Sequence, residues 1–139
     1  MINPDITVAD LNKMNAGTMS GCIGIEFLEI NEDSITARMP VDERTIQPYG
    51  LLHGGASVAL AETLGSVGAH CSIDATKFAS VGLEINANHI RSVKSGYVYG
   101  KSTPIHLGRS THIWEIKITT EDGKLVCISR ITMAIIAKK

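Results

Sequence analysis

Hydrophobic and polar residues alternate with a period of two in several segments of the chain, which indicates half-buried β-strands. In one of them, Ile35 and Ala37 alternate with Thr36 and Arg38. The predicted strands are Cys22–Ile30, Ser34–Met39, Ala79–Ile90, Gly96–Thr103, His112–Thr120 and Leu125–Ile136. The segments Asn31–Asp33 and Asp122–Gly123 are typical of hairpin turns, so each joins two neighbouring antiparallel strands.

Two other segments have the spacing of helices. Thr7 with Asp10 three residues later predicts a capped helix, which ends at Gly17. From Gly54 to His70 the chain is apolar nearly all round, a pattern that indicates a buried helix rather than one on a surface. The loop Gln47–Gly50 leads into this second helix.

The order of these elements is helix, two strands, buried helix and four strands. It predicts an α+β fold in which a six-stranded antiparallel sheet wraps one long central helix. A doubly wound parallel sheet is excluded, because four strands in a row lack crossover helices. The length of 139 residues predicts a single domain over residues 1–139.

Composition narrows the possible partners. Lys plus Arg number 13 against 14 Asp plus Glu, so the net charge of −1 argues against a nucleic-acid partner. No run of about 18 apolar residues is present, so no membrane span is predicted.

The three cysteines are far apart and odd in number, which favours a reducing, cytoplasmic compartment. Neither they nor the histidines have ligand spacing, so no metal site is predicted. The mean hydropathy of +0.12 indicates apolar surface buried against a partner chain.

Glu62 is the only charged side chain between Arg44 and Asp74, and it lies in the middle of the predicted central helix. A carboxylate in such a segment is costly unless it has a partner or is solvated from a cleft. Helix composition alone fits two interpretations equally. Glu62 is either a general base in an active site or a structural carboxylate held by a hydroxyl or by another subunit.

The helical wheel separates small residues from large ones. Leu60, Leu64 and Val67 lie opposite Glu62, so we expect them to pack on the sheet. Gly65 and Gly68 each cost about 1 kcal/mol against alanine in a helix. We therefore expect a ligand or another backbone to come close to them. The small residues on the Glu62 face are Gly55, Val58, Ala59, Gly65, Ser66 and Ala69.

His53, Gly54 and Gly55 precede the first turn of this helix. Free N–H groups at a helix start, with its positive dipole end, suit a carbonyl oxygen that develops negative charge. A tight turn into the helix explains the two glycines equally well. His53 and Glu62 are nine residues apart, or about 13 Å along a helix axis. If both act in one small site, they come from two chains across a twofold axis.

Other polar residues have both functional and ordinary interpretations. Gln47 can donate an amide N–H to a carbonyl, or it is a solvated loop residue. Ser66 follows Glu62 by one turn and can bind the same ligand or bond back to its own helix. His89 ends a strand whose alternation through Val81, Leu83, Ile85 and Ala87 points it to the buried side. Basic residues are concentrated in one part of the chain, at Arg91, Lys94, Lys101, His106 and Arg109. They either bind a phosphorylated ligand or are ordinary solvated surface charges.

Three segments together resemble the hotdog-fold acyl-CoA thioesterases over nearly the whole chain. They are Gln47–Gly55 with Glu62 and Ser66, Val81–Ser92, and His106–Ser110. A glutamate at position 62 is similar to the branch that hydrolyses 1,4-dihydroxy-2-naphthoyl-CoA. That branch also includes the proofreading thioesterase of enterobactin synthesis. The resemblance implies hydrolysis of acyl-CoA or acyl-carrier-protein thioesters, with aryl or medium acyl groups, and no cofactor.

The resemblance also implies roles for individual residues. Glu62 is the nucleophile or general base, Ser66 positions water, and Gln47, His53 and Gly55 act on the thioester oxygen. The family is dimeric or a dimer of dimers, with active sites shared between subunits. The residues implied in substrate and CoA binding are Gly82, His89, Ile90, Arg91, Ser92, His106, Leu107, Gly108, Arg109, Ser110 and Thr111.

Two rival functions remain at this level. A dehydratase or hydratase of the same fold also pairs a histidine with a carboxylate, but it releases no thiol. A non-catalytic acyl-CoA-binding module would bind the ester without turnover, and Glu62 would then be replaceable. The sequence also leaves open which acyl group is bound, and whether Glu62 attacks directly or activates water.

Overall fold

The computed structural model describes residues 1–139 and has the predicted architecture. Six antiparallel strands form one sheet in the order β1-β2-β4-β5-β6-β3, and the long helix α3 packs against it. The elements are α1 (Val8–Asn15), α2 (Met19–Cys22), β1 (Glu26–Asn31), β2 (Ser34–Pro40), α3 (Gly54–Cys71), β3 (Phe78–His89), β4 (Tyr97–Leu107), β5 (Thr111–Thr120) and β6 (Leu125–Ala137). None of the helices is both long and apolar enough to cross a membrane.

The N-terminal part of the chain differs from the prediction. α1 begins as expected, because Thr7 and Asp10 form a capping box. The predicted strand Cys22–Ile30 begins only at Glu26, and its first residue instead ends the short helix α2. Thr18 caps α2 by accepting a hydrogen bond from the N–H of Gly21. This local capping bond competes successfully with strand pairing.

Gly65 and Gly68 of α3 face the sheet, which corrects the expectation that a ligand or another backbone approaches them. A methyl group built on Gly68 would lie 2.8 Å from the ring of Trp114, and one on Gly65 would collide with Ile131. Leu60 and Leu64 are fully buried against the sheet as predicted, where Gly100 makes room for them. Val67 is only partly buried, because it lies toward a cleft rather than the sheet.

β3 is an edge strand, and a β-bulge between Gly82 and Glu84 interrupts its alternation. Beyond the bulge, Ile85 pairs with the buried Ile131, and His89 pairs with the buried Cys127. Before the bulge the phase is reversed, so the prediction for two residues was wrong. Val81 and Leu83 are 44% and 63% exposed instead of facing the core. His89 does face inward, but its side chain is exposed at the end of the strand.

All three cysteines are free thiols. Cys22 is exposed, whereas Cys71 and Cys127 are buried. Burial raises the pKa of the Cys71 thiol to about 11, so this thiol stays protonated and unreactive at neutral pH.

Candidate active site

Glu62 lies on the face of α3 that the sheet leaves uncovered. Its half-buried side chain opens on a cleft of about 390 Å³ between α3 and the two N-terminal helices. We call this space the Glu62 cleft, and its lining residues are Leu11, Met14, Asn15, Thr18, Met19, Ser20, Phe27, Ala59, Glu62, Thr63, Ser66 and Val67. The carboxylate makes no hydrogen bond and no ion pair within the chain. Both of its oxygens are therefore free to accept a proton or a hydrogen bond from a ligand.

Gly82 of β3 contacts the carboxylate directly. A methyl group built on Gly82 would lie 2.7 Å from Oε1 of Glu62, which is closer than real carbon and oxygen atoms approach. The bulge in β3 places Gly82 opposite Met133 of the buried face, and so turns it toward α3. The structure therefore brings Glu62 together with Gly82, a residue that the sequence assigned only to CoA binding.

Ser66 lies one helical turn beyond Glu62 and lines the same cleft. Its hydroxyl does not bond back to the helix. Instead it approaches the sulfur of Met133 at 3.8 Å, a weak acceptor. Exchanging that contact for a water molecule or a substrate oxygen therefore costs little.

His53 caps the N-terminus of α3. Its Nδ1 accepts a hydrogen bond of 2.7 Å from the N–H of Gly55, so the imidazole proton lies on Nε2 when the ring is neutral. This N–H is the group that the sequence assigned to the thioester oxygen. In the structure it has a partner, so a substrate oxygen would have to displace His53 Nδ1. Both residues line a cleft of about 250 Å³ that shares Met19 and Ala59 with the Glu62 cleft.

Gln47 and the segment His89–Ser92 meet in a third cleft, of about 310 Å³. The Gln47 side-chain oxygen accepts the N–H of Tyr49, which leaves its NH₂ group as the free donor. The ring of His89 packs on the first residue of α3, since a methyl group built on Gly54 would lie 3.0 Å from His89 Nε2. The predicted residues of this group, Gln47, His89, Ile90, Arg91 and Ser92, are therefore neighbours in space.

The segment His106–Thr111 forms the β4–β5 hairpin and lines a different cleft, of about 550 Å³. The N–H of Gly108 donates to the Thr111 carbonyl at 2.9 Å, and the Ser110 carbonyl accepts the N–H of Ile135 at 2.8 Å. The lining of this cleft includes Leu107, Gly108 and Arg109. A single chain therefore does not bring the hairpin into the cleft of Glu62.

His112 at the foot of this hairpin is a polar residue that the sequence did not single out. It is 3% exposed, and its Nδ1 has no hydrogen-bond partner. Desolvation by burial, with the nearby His106 as a second cause, lowers the pKa of His112 below the ordinary histidine value. We therefore expect a neutral ring at pH 7.

The lining contributed by the N-terminal helices was also missed, because their second helix was predicted as strand. Thr18, Met19 and Ser20 line the Glu62 cleft from α2 and its cap. The available signal was Thr18, since threonine is a preferred N-cap residue. No group of three or more His, Cys, Asp or Glu side chains is placed to hold a metal ion.

Comparison with known proteins identifies the family of the chain. Residues 49–127 match the thioesterase superfamily. The 1,4-dihydroxy-2-naphthoyl-CoA hydrolase of Escherichia coli is 50% identical over 131 residues, which cover 94% of this chain and 96% of that protein. The proofreading thioesterase EntH of Cronobacter turicensis is 46% identical over 130 residues, which cover 94% of each.

Solved structures show the same likeness along the full length. A mutant thioesterase of Pseudomonas aeruginosa superposes with a TM-score of 0.96 at 44% identity and covers 99% of both chains. A thioesterase of Haemophilus influenzae gives 0.94 at 46% identity and covers 98% of this chain and 94% of its own. The chain thus belongs to the thioesterase superfamily, has the hotdog fold, and is a thioester hydrolase.

Proposed function

We propose that this chain hydrolyses CoA thioesters of aryl or medium acyl acids, with Glu62 as the catalytic carboxylate. One observation carries the assignment: Glu62 lies at a cleft without any partner inside the chain. A structural carboxylate in a half-buried position is expected to be hydrogen-bonded or paired, whereas a nucleophile or base must keep an oxygen free.

The reaction needs only a few groups. As a general base, Glu62 takes a proton from water, the hydroxide attacks the thioester carbon, and the C–S bond breaks to release CoA thiolate. As a nucleophile, the carboxylate oxygen attacks the thioester carbon, the C–S bond breaks to release CoA thiolate, and water then hydrolyses the resulting anhydride to the free acid and the Glu62 carboxylate. Ser66 lines the same cleft, and we assign to it the positioning of the water in either path. Gln47, His53 and Gly55 are the proposed donors to the developing oxyanion.

The substrate class is inferred from two sources. One relative is named 1,4-dihydroxy-2-naphthoyl-CoA hydrolase, and the acyl group in that name is aromatic. The Glu62 cleft has apolar side chains in its walls and is large enough for a ring. For the CoA nucleotide we propose the segments His89–Ser92 and His106–Thr111, where Arg91 and Arg109 supply positive charge for phosphates. An acyl group on a carrier protein presents the same thioester and is the alternative donor.

We further propose a homo-oligomer with shared sites. β3 is a twelve-residue edge strand with unpaired backbone groups, and Val81 and Leu83 are exposed along it. Long exposed edges with apolar residues tend to pair with another chain. Pairing β3 with a second copy would also bring another chain beside Gly82, next to Glu62. The three free cysteines fit a reducing compartment, so we place the protein in the cytoplasm.

Replacing Glu62 by glutamine tests the assignment. We expect Glu62→Gln to lower kcat for benzoyl-CoA about 100- to 10,000-fold, because the amide can neither attack nor accept the water proton. Thiol release is followed with 5,5′-dithiobis(2-nitrobenzoic acid). Because the proposed reaction uses no metal, dialysis against EDTA should leave the wild-type rate unchanged.

Glu84→Gln is the matched control, since Glu84 is an exposed carboxylate whose partner is Asn86 rather than a ligand. It should keep wild-type turnover. Near-wild-type thiol release by Glu62→Gln would rule out the catalytic role of Glu62. Enoyl absorbance that changes without thiol release would indicate a dehydratase or hydratase instead.

A further inference from the structure

We propose that the hydrogen bond between Ser20 and Thr63 positions α2 as one wall of the Glu62 cleft. Ser20 is then a positioning residue, and Met19 determines which acyl groups fit. The inference rests on the proposed function, because it assigns the acyl end of the substrate to this cleft. It adds residues to which the hydrolytic step itself assigns no role.

The two long walls of the cleft come from different parts of the chain. One wall is α3, which carries Glu62, Thr63 and Ser66. The facing wall is formed by α1 and α2, with Met14 and Met19 at its rim. The distance between α2 and α3 therefore sets the width of the space beside the carboxylate.

A single hydrogen bond joins these walls. Ser20 Oγ lies 2.9 Å from Thr63 Oγ1, and no other hydrogen bond links α2 to α3. The Thr63 hydroxyl donates its only proton to the Ala59 carbonyl at 2.7 Å. Ser20 is consequently the donor and Thr63 the acceptor. We call this hydrogen bond the tether. Since Thr63 directly follows Glu62, the tether holds α2 beside the catalytic carboxylate.

α2 and its neighbouring residues form a small segment flanked by two glycines and held by a few hydrogen bonds. Gly17 and Gly24 both have positive φ, 74° and 81°, and they flank the segment. Within it, the Ile25 N–H donates to the Ser20 carbonyl at 3.0 Å. Below it, the buried Asn15 donates through Nδ2 to the Ile25 carbonyl at 2.8 Å. Loss of the tether should therefore make this segment open more often, because its remaining hydrogen bonds then act without the link to α3.

Methionine is a suitable residue for the wall that the tether positions. Met19 is 66% exposed and Met14 is 56% exposed at the rim of the cleft, so both side chains are accessible to a ligand that enters it. The thioether chain is flexible and packs well on aromatic rings. The wall thus accepts flat or branched acyl groups as long as α2 is held close to α3.

The tether is tested with a double-mutant cycle at Ser20 and Thr63. We expect Ser20→Ala and Thr63→Val each to raise KM for benzoyl-CoA about three- to tenfold, with kcat within twofold. Thr63→Ser keeps the acceptor hydroxyl and should restore the wild-type KM. The double variant should be no worse than either single variant, because both remove the same bond.

Ser129→Ala is the matched control, since it removes a hydroxyl bond of 2.7 Å to the Asn86 carbonyl outside the cleft. It should leave KM unchanged even if it lowers Tm. Hydrogen exchange of amides 18–25 supplies a readout without substrate, and it should rise in Ser20→Ala and Thr63→Val only. Binding of S-benzyl-CoA, an unreactive thioether, should weaken in parallel with the rise in KM.

The outcomes separate this inference from the proposed function. If wild type hydrolyses benzoyl-CoA but Ser20→Ala has an unchanged KM, the wall role is wrong while the hydrolase assignment stands. Additive effects in the cycle, or an equal KM shift in Ser129→Ala, also overturn it. If wild type releases no thiol, the proposed function fails. Hydrogen exchange and thioether binding then test the tether without turnover. If both measurements are the same in Ser20→Ala, Thr63→Val and wild type, the tether has no positioning role.

Discussion

Gly82 is the residue that leaves room for the Glu62 carboxylate against β3. Its backbone has no positive φ, so conformational freedom does not require a glycine here. What requires it is the contact, since the first side-chain carbon of any other residue would lie 2.7 Å from Glu62 Oε1. The carboxylate is the flexible partner, and it would have to move away from the strand.

At this scale we predict that Gly82→Ala lowers kcat for benzoyl-CoA about tenfold or more, because a displaced carboxylate meets the thioester at the wrong distance. The Tm should change by no more than a few degrees, since Gly82 is exposed and its conformation suits alanine. Asn86→Ala, on the opposite face of the same strand, should retain wild-type turnover. Equal kcat values in Gly82→Ala and wild type would show that the contact has no influence on catalysis.

At the scale of elements, α3 connects the core to the site. Its large residues and its glycines bring the helix close to β4, β5 and β6, while Glu62 stays on the open side. The glycines therefore set the depth at which the helix lies on the sheet. They lower helix propensity, and close packing against Trp114 and Ile131 offsets that loss.

The sign of the effect of Gly68→Ala tests this account. If the glycine served only flexibility, alanine would stabilise the helix by about 1 kcal/mol. We expect the opposite, a destabilisation of about 1–3 kcal/mol, because the added methyl group would overlap the buried ring of Trp114. Urea unfolding followed by Trp fluorescence measures the difference. A more stable variant would show that the ring yields and that packing does not require this glycine.

At the scale of the whole molecule, one chain distributes the predicted site over several clefts. Glu62, Ser66 and Gly82 are together, and Gln47 lies with His89–Ser92 elsewhere. His53 and Gly55 line an adjoining cleft, and the β4–β5 hairpin lines another. We propose that a second copy completes the site for a substrate that touches all of these groups, through the proposed pairing of the β3 edges.

Mixing two inactive variants tests for shared sites. Glu62→Gln and His53→Ala should each be nearly inactive alone. After joint unfolding and refolding in equal amounts, mixed dimers should contain one intact site of two, which restores about a quarter of wild-type activity. The mass of the assembly is measured by light scattering. Recovery no greater than the sum of the separate variants would place both residues of each site in one chain.

The sequence by itself determined the order of the elements, the antiparallel sheet around a buried helix, and Glu62 as the carboxylate in question. Those features follow from local periodicity and composition, because the spacing of apolar residues determines whether a segment forms a helix or a strand. Only the tertiary structure decided that Gly65 and Gly68 serve the sheet, because helix spacing does not reveal what lies opposite each face. It alone placed the bulge that turns Gly82 toward Glu62, since a bulge arises from the pairing of two distant strands. It also replaced the start of the first predicted strand by α2, whose hydrogen bond to Thr63 is a contact with α3.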